Sequence, residues 1–257
     1  MTNTLPVLLS IPHGGIEIPR EIVDRVCLTH VDVQNDSDAF SRDVYDLEDR
    51  VAVVVATYIG RAFVDLNRAP DDLPPANPDG VIKSHTCYGV PIYQEGAQPD
   101  AAMIRTLLDA YYYPYHNQIA EVAQHAGPNV ELGIDCHTMT PVGPQVAPDR
   151  DAPRPMICLG NVHGRSCSQD TMTRLARCFV EAFELEDDDV TYNQPFAGGF
   201  ITRHYGTNPI PWVQVEMNQA FYLEFPCFGK NVFEGVERTR LKDVREKFYH
   251  TLRLFFA

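Results

Sequence analysis

The sequence predicts an α/β fold, a single domain over residues 1–257 with a mainly parallel or mixed central sheet flanked by helices. Three observations predict it. Short apolar runs bounded by turn residues alternate along the chain with segments of helical period. No repeat, low-complexity stretch or linker divides the chain. With 44% hydrophobic and 22% charged residues over 257 positions, the chain can bury a core without a disulfide or a structural metal.

The elements follow in order. Val7–Ile11 is a short apolar run that ends in Pro12-His13-Gly14-Gly15, a strand entering a tight turn. Phe40, Val44 and Leu47 share one helical face, and Asn35-Asp36-Ser37-Asp38 before them supplies residues suited to an N-cap. Val51–Ala56 reads as a buried strand and Arg61–Asp65 as another. Residues 69–99 are rich in proline and form one irregular excursion, a lid or a substrate wall. Asp100–His125 is helical by Ile104, Leu108, Tyr111, Tyr115, Ile119 and Val122, with a kink or two abutting helices at Pro114. Val130–Cys136 is a strand ending at His137, and Pro155–Leu159 is a further strand. Ser166 and Gln169 have capping-box spacing before a helix that reaches about Phe183. Trp212–Glu216 is a strand, and a last helix from about Val236 to Phe255 carries the stripe Leu241, Val244, Phe248, Leu252, Phe255.

Composition excludes several functions. Lys and Arg number 21 against 35 Asp and Glu, a net charge of −14. Such a surface repels phosphate backbones, and no basic stripe offsets it, so nucleic acid and anionic membranes are excluded as partners. No apolar run approaches the roughly 18–20 residues of a membrane span. The seven cysteines are odd in number and form no CxxC pair. Cys27, Cys136, Cys158, Cys178 and Cys227 lie among apolar neighbours and read as buried. The first residues lack the cationic start and long apolar run of a signal peptide. A reducing, cytoplasmic setting is expected.

In open α/β sheets ligands bind beyond the carboxyl ends of strands, and the polar residues gather there. His13 lies just past the first strand, before two glycines that permit close approach of a ligand. His137 ends a second strand, where alternation puts Asp135 and His137 on one face and Cys136 on the other. That opposes a Cys136–His137 nucleophilic pair and makes Asp135 available to orient His137. Asp36 and Asp38 suit either a helix cap or a ligand. Asn67 and Arg68 follow a strand, and the guanidinium fork suits a carboxylate. Glu216 ends an apolar strand on the face of Gln214 and Asn218. Residues 193–206 add a Gly pair, Arg203 and His204 in a loop. Each alone has a bland structural reading. Together they outline two His, a carboxylate, a Glu base and Arg/Asn clamps, a set that suits catalytic Zn²⁺ with an open position. No HExxH, phosphate loop, GxSxG or zinc-finger spacing is present.

These residues resemble the N-formylglutamate amidohydrolase family, itself similar to the zinc carboxypeptidases and the aspartoacylase group. The blocks are Ser10-Ile11-Pro12-His13-Gly14-Gly15, Asp36-Ser37-Asp38, Arg61-Ala62-Phe63-Val64-Asp65-Leu66-Asn67-Arg68, Tyr113-Pro114-Tyr115-His116 and Ile134-Asp135-Cys136-His137-Thr138-Met139. Gly160-Asn161, the 193–202 segment and 213–222 around Glu216 complete the set in family order. The resemblance implies a phosphorylase/hydrolase-like, zinc carboxypeptidase-like fold, one catalytic zinc, and hydrolysis of a small anionic N-acyl amino acid such as N-formyl-L-glutamate. It implies His13, His137 and Asp38 as metal ligands, with Asp36 the rival of Asp38. Asn67 and Arg68 match the substrate-carboxylate clamp, with Arg203 a further cation, and Glu216 matches the general base. Gln219 stands where the family often has Arg, and Ile16 stands where the zinc peptidases have the Glu of HxxE. The alternatives are a deacylase or carboxypeptidase-like enzyme for another N-acyl amino acid, or a non-catalytic binding module on the same fold.

Overall fold

The computed structural model describes residues 4–125, 129–145, 147–206, 209–224 and 236–257. Six strands form one mixed sheet: β1 (Leu5–Ile11), β2 (Val51–Ala56), β3 (Leu132–Met139), β4 (Ile157–Gly160), β5 (Val190–Tyr192) and β6 (Trp212–Asn218), in the order β2-β1-β3-β6-β4-β5. β2, β1, β3 and β6 run parallel, β4 is antiparallel to β6, and β5 runs with β4. The chain leaves β1 for β2 on one side and returns to β3 on the other. The crevice between β1 and β3 is therefore a topological switch point, where sheets of this kind bind ligands. None of the described helices is long and apolar enough to cross a membrane.

Every residue of the central strands β3 and β6 is buried, because both faces of the sheet are covered. On one face Val7, Leu9, Ile11, Ile134, Cys136, Val213 and Val215 pack against α2 (Ser41–Tyr45), α5 (Gln169–Phe183) and α7 (Arg238–Phe255). On the other, Leu8 and Trp212 join the helices α3 (Ala101–Leu107) and α4 (Tyr113–His125). That second face changes character along the strands. Trp212 lies opposite Gly133, where any side chain would overlap the indole ring. Two and four residues further on stand Asp135 opposite Gln214 and His137 opposite Glu216. The period of two that buries Trp212 thus also aims the polar groups at one spot.

Several expectations are corrected. Arg61–Asp65 is a turn, with Phe63 and Val64 donating backbone N–H groups to Gly60 O and Asp65 donating to Val81 O. Its apolar side chains join one cluster with Val81, Ile82, Ile92 and Tyr93 of the 69–99 segment and with Leu8, Val55 and Ile119. Asp36 closes α1 (His30–Asp36), which starts at a Thr29/Asp32 capping box. α2 begins after Phe40 in a left-handed conformation and has no side-chain cap, so Asp38 is free of that role. Ser168 caps α5, while Ser166 Oγ donates to Trp212 O. Around Pro114 two helices meet: α3 runs into a π turn over Leu108–Tyr112, and α4 starts at Tyr113, whose N–H donates to Leu108 O. Residues 69–99 form no helix or strand but are pinned by buried Val81, Ile82, Ile92 and Tyr93. Cys136 and Cys158 are buried, Cys178 is partly buried, Cys27 is exposed, and Cys227 lies outside the described residues.

Candidate active site

His13 follows β1 at the switch point. Gly15 beside it is required by close packing, since a Cβ there would meet the Tyr58 carbonyl. Asp38 donates its backbone N–H to His13 O (3.1 Å), which holds the turn after α1 against His13. The Asp38 carboxylate then lies between the two histidines. Its Oδ2 accepts from His137 Nδ1 (2.9 Å) and from the Thr138 N–H (3.2 Å) and stands 3.7 Å from His13 Nδ1. All three side chains are buried, and one donor atom from each falls within 4.8 Å of the others. Asp36 is turned away: its Oδ1 accepts the Cys87 N–H (2.6 Å) and its Oδ2 lies 3.7 Å from Lys83 Nζ.

A second layer of carboxylates fixes the rings. Asp65 Oδ1 lies 2.8 Å from His13 Nε2, and Asp135 Oδ1 lies 3.0 Å from His137 Nε2. Each ring thus has Nε2 against a carboxylate, His137 Nε2 also lying 2.9 Å from Asn67 Nδ2, and turns Nδ1 toward Asp38. His13 Nδ1 has no hydrogen-bond partner among the described residues although it is buried. An orphaned imidazole nitrogen costs free energy unless a ligand satisfies it. Asp135 Oδ2 accepts from Thr202 Oγ1 (2.9 Å) and Asn67 Nδ2 (3.3 Å), while Asn67 Oδ1 accepts the Ile201 N–H (2.7 Å). The π turn and α4 together steady the Asn67 turn from both sides. His116 Nε2 donates to Leu66 O (2.9 Å), Tyr112 OH donates to Arg68 O (2.8 Å), and His116 Nδ1 takes the Tyr205 hydroxyl (2.9 Å).

Electrostatics follow from this burial. Burial acts to raise the Asp38 carboxyl, but the charges of His13 and His137 and the hydrogen bond from His137 hold it far below the usual carboxylate range. Burial likewise opposes ionisation of Asp65, and His13, Arg61 and Lys83 overcome it. Glu216 differs. Burial pushes it up to about 8, the nearby negative charges of Asp38 and Asp135 add to the effect, and His137 and Arg154 only partly offset it. Its Oε1 accepts from Gln214 Nε2 (2.8 Å), and Gln214 is itself fixed by the Gly199 N–H (2.6 Å).

The structure thus brings together His13, Asp38, His137, Glu216 and Asn67. Arg68 and Arg203 are elsewhere engaged. Arg68 donates to Asp79 through Nη2 (2.6 Å) and to its carbonyl through Nε (2.8 Å), and Arg203 folds back on Gly198 O (2.8 and 3.0 Å). Sequence reasoning missed Asp65, Arg61, Lys83, Gln214 and Thr202 as parts of the site. Asp65 carried a signal, being two residues before Asn67 at the end of the segment read as a strand; Lys83, in an aperiodic segment, carried none.

A buried His13, Asp38 and His137 that could together hold a cation, beside a buried carboxyl raised by its burial, stand at one edge of a mixed α/β sheet. The chain belongs to the N-formylglutamate amidohydrolase family, whose model matches residues 5–223. It is similar to the N-formylglutamate deformylases of Pseudomonas putida (29% identity, 86% of this chain and 82% of that protein) and Pseudomonas aeruginosa (31%, 86% and 83%). It shares its fold with N-formylglutamate amidohydrolase from Ralstonia eutropha JMP134, at a TM-score of 0.72, 21% identity, and 98% and 93% coverage. Gene product Atu2144 from Agrobacterium tumefaciens has the same fold, at a TM-score of 0.61, 16% identity, and 98% and 89% coverage.

Proposed function

We propose that this chain hydrolyses N-formyl-L-glutamate to formate and glutamate, using one divalent metal, zinc, held by His13, Asp38 and His137. One observation carries the metal reading: the buried, unpartnered His13 Nδ1 faces Asp38 while each histidine's Nε2 is held by a separate carboxylate. Metal-ligating histidines are oriented in this way, and two nitrogens with one oxygen fit zinc. Bound there, the ion would polarise the formyl carbonyl and lower the pKa of a water toward about 7.

The remaining work falls to this chain's own groups. Glu216 accepts the proton of the attacking water as the C–O bond forms, and returns it to the nitrogen as the C–N bond breaks. Burial raises this carboxyl, and a cation held by His13, Asp38 and His137 would favour its ionised, proton-accepting form. Asn67 lies with Asp135 against His137. Arg68 is the cation we assign to a substrate carboxylate, which would replace Asp79. That half-exposed pair is weak enough to exchange at little cost. Arg203 supplies a second positive charge, from the short helix Phe200–Tyr205 rather than from the loop expected over 193–206.

A second reading keeps the chemistry and changes the substrate. Gln219 is buried, and its Nε2 donates to Thr138 Oγ1 (3.2 Å), one residue from His137. An amide there, in place of the family's frequent Arg, removes a positive charge from the wall and favours another N-acyl amino acid. Initial rates on N-formyl-, N-acetyl- and N-succinyl-glutamate and on N-formyl derivatives of neutral amino acids test both readings. Formate release fastest from N-formylglutamate, abolished by a chelator and restored by Zn²⁺, is the expected result. Full activity in metal-free protein would defeat the metal assignment, and a faster neutral substrate would select the second reading.

A further inference from the structure

The proline-rich segment delivers one residue that the mechanism above leaves unused. Lys83 is buried, and its Nζ lies 2.7 Å from Asp79 Oδ1, 3.4 Å from Asp65 Oδ2 and 3.7 Å from Asp36 Oδ2. Taking an ammonium group out of water is costly unless carboxylates compensate it. Pairing with Asp79 alone would not require that, since the Asp79 side chain is 44% exposed and could meet a lysine at the surface. Asp65 and Asp36, by contrast, have no side-chain exposure and cannot reach water for compensation. The position of Lys83 is explained by the carboxylates inside.

Asp65 divides its two oxygens. Oδ1 accepts from His13 Nε2 (2.8 Å) and the Asn67 N–H (3.0 Å). Among the described residues Oδ2 faces only cations: Arg61 Nη2 at 3.3 Å, Lys83 Nζ at 3.4 Å and Arg68 Nε at 4.0 Å. Of these, Arg61 is shared with Asp38 (3.6 Å), and Arg68 is spent on Asp79. Resting on the metal reading above, we propose that Lys83 is a positioning residue that acts on metal ligand His13 through Asp65. By holding Oδ2 it keeps Oδ1 aimed at Nε2, so that His13 carries its proton there and presents Nδ1 to the metal. The 69–99 segment would then serve the site from behind, as the source of a buried counter-charge.

The test compares Zn²⁺ affinity of metal-free wild type, Lys83→Met and Lys83→Gln, by competition with a chromophoric chelator. Phe179→Leu, in the opposite core, serves as a control for lost stability. Removing an outer partner of a metal-bound histidine typically costs about 10–100-fold in affinity. Both Lys83 variants are expected to bind Zn²⁺ at least about tenfold more weakly, while Phe179→Leu, even with a comparable fall in Tm, binds as wild type does. Tight uptake by the wild type and by the Lys83 variants alike overturns the proposal and leaves the metal reading intact. Equal weakening in the control, or failure of both Lys83 variants to fold, makes Lys83 a stability residue and overturns it as well. Absence of uptake by the wild type defeats the metal reading and the proposal together.

Discussion

Replacing Glu216 with Gln separates the base from the ligands. The substitution preserves shape, and its side-chain oxygen can still accept from Gln214 Nε2, now 2.8 Å from Glu216 Oε1. The metal set assigned above lies on His13, Asp38 and His137, so Zn²⁺ should remain at wild-type stoichiometry. Turnover should fall by roughly 10²–10⁴, the usual share of a positioned acid–base group. A second consequence concerns stability. In the metal-free protein burial raises Glu216 from its ordinary 4.5 to about 8. The folded state therefore holds this proton where the unfolded chain has released it. Glu216 costs nothing below pH 4.5, becomes progressively destabilising as pH rises, and reaches its full cost above pH 8. At about 1.36 kcal/mol per pH unit that cost is on the order of 5 kcal/mol. Urea denaturation of both metal-free proteins from pH 4.5 to 8.5 should show the variant gaining on the wild type across the range, by that order at the alkaline end. A flat difference would refute the buried, proton-holding carboxyl. Retained turnover would move the base elsewhere, and lost metal would make Glu216 a ligand.

The other predictions concern neighbouring groups. Asp38→Asn should lose far more Zn²⁺ than Asp36→Asn, measured by metal analysis after dialysis, because only Asp38 lies between the histidines; the opposite order would transfer the ligand role. Arg68→Lys keeps the charge but loses the fork, so kcat/KM for carboxylate-bearing substrates should fall by about 1–3 kcal/mol in transition-state terms, with amides lacking that carboxylate little affected. Burial lowers His116 from 6.5 to about 4, so the unfolded chain takes its proton first as pH falls. This contribution is fully present above pH 6.5 and is lost as pH drops through 4, on the order of 3 kcal/mol. A His116→Gln variant should lack that part of the acid slope in urea titrations; an unchanged slope would place the acid sensitivity elsewhere.

Local rules make much of the site readable from the sequence. A strand alternates with period two whatever surrounds it, so the shared face of Asp135 and His137, and the opposite face of Cys136, follow from adjacency alone. The glycines after His13 and the carboxyl ends of β1, β3 and β6 likewise mark where chemistry gathers. What escaped is non-local. Asp36 and Asp38 are near-equivalents in sequence, and the turn at Ser37 points one at Lys83 and the other at His137. Arg61–Asp65 has the composition of a strand, yet no strand is available to pair with it, and the Gly60 turn takes its backbone bonds instead. Lys83 lies in a segment with no period and meets Asp65 only because buried Val81, Ile82 and Ile92 fold that segment back onto the site. Residue type and spacing determine which groups can reach the sheet edge. Only the packed structure decides which carboxylate faces a histidine and which faces a cation, because burial makes each unpaired charge too costly to leave alone.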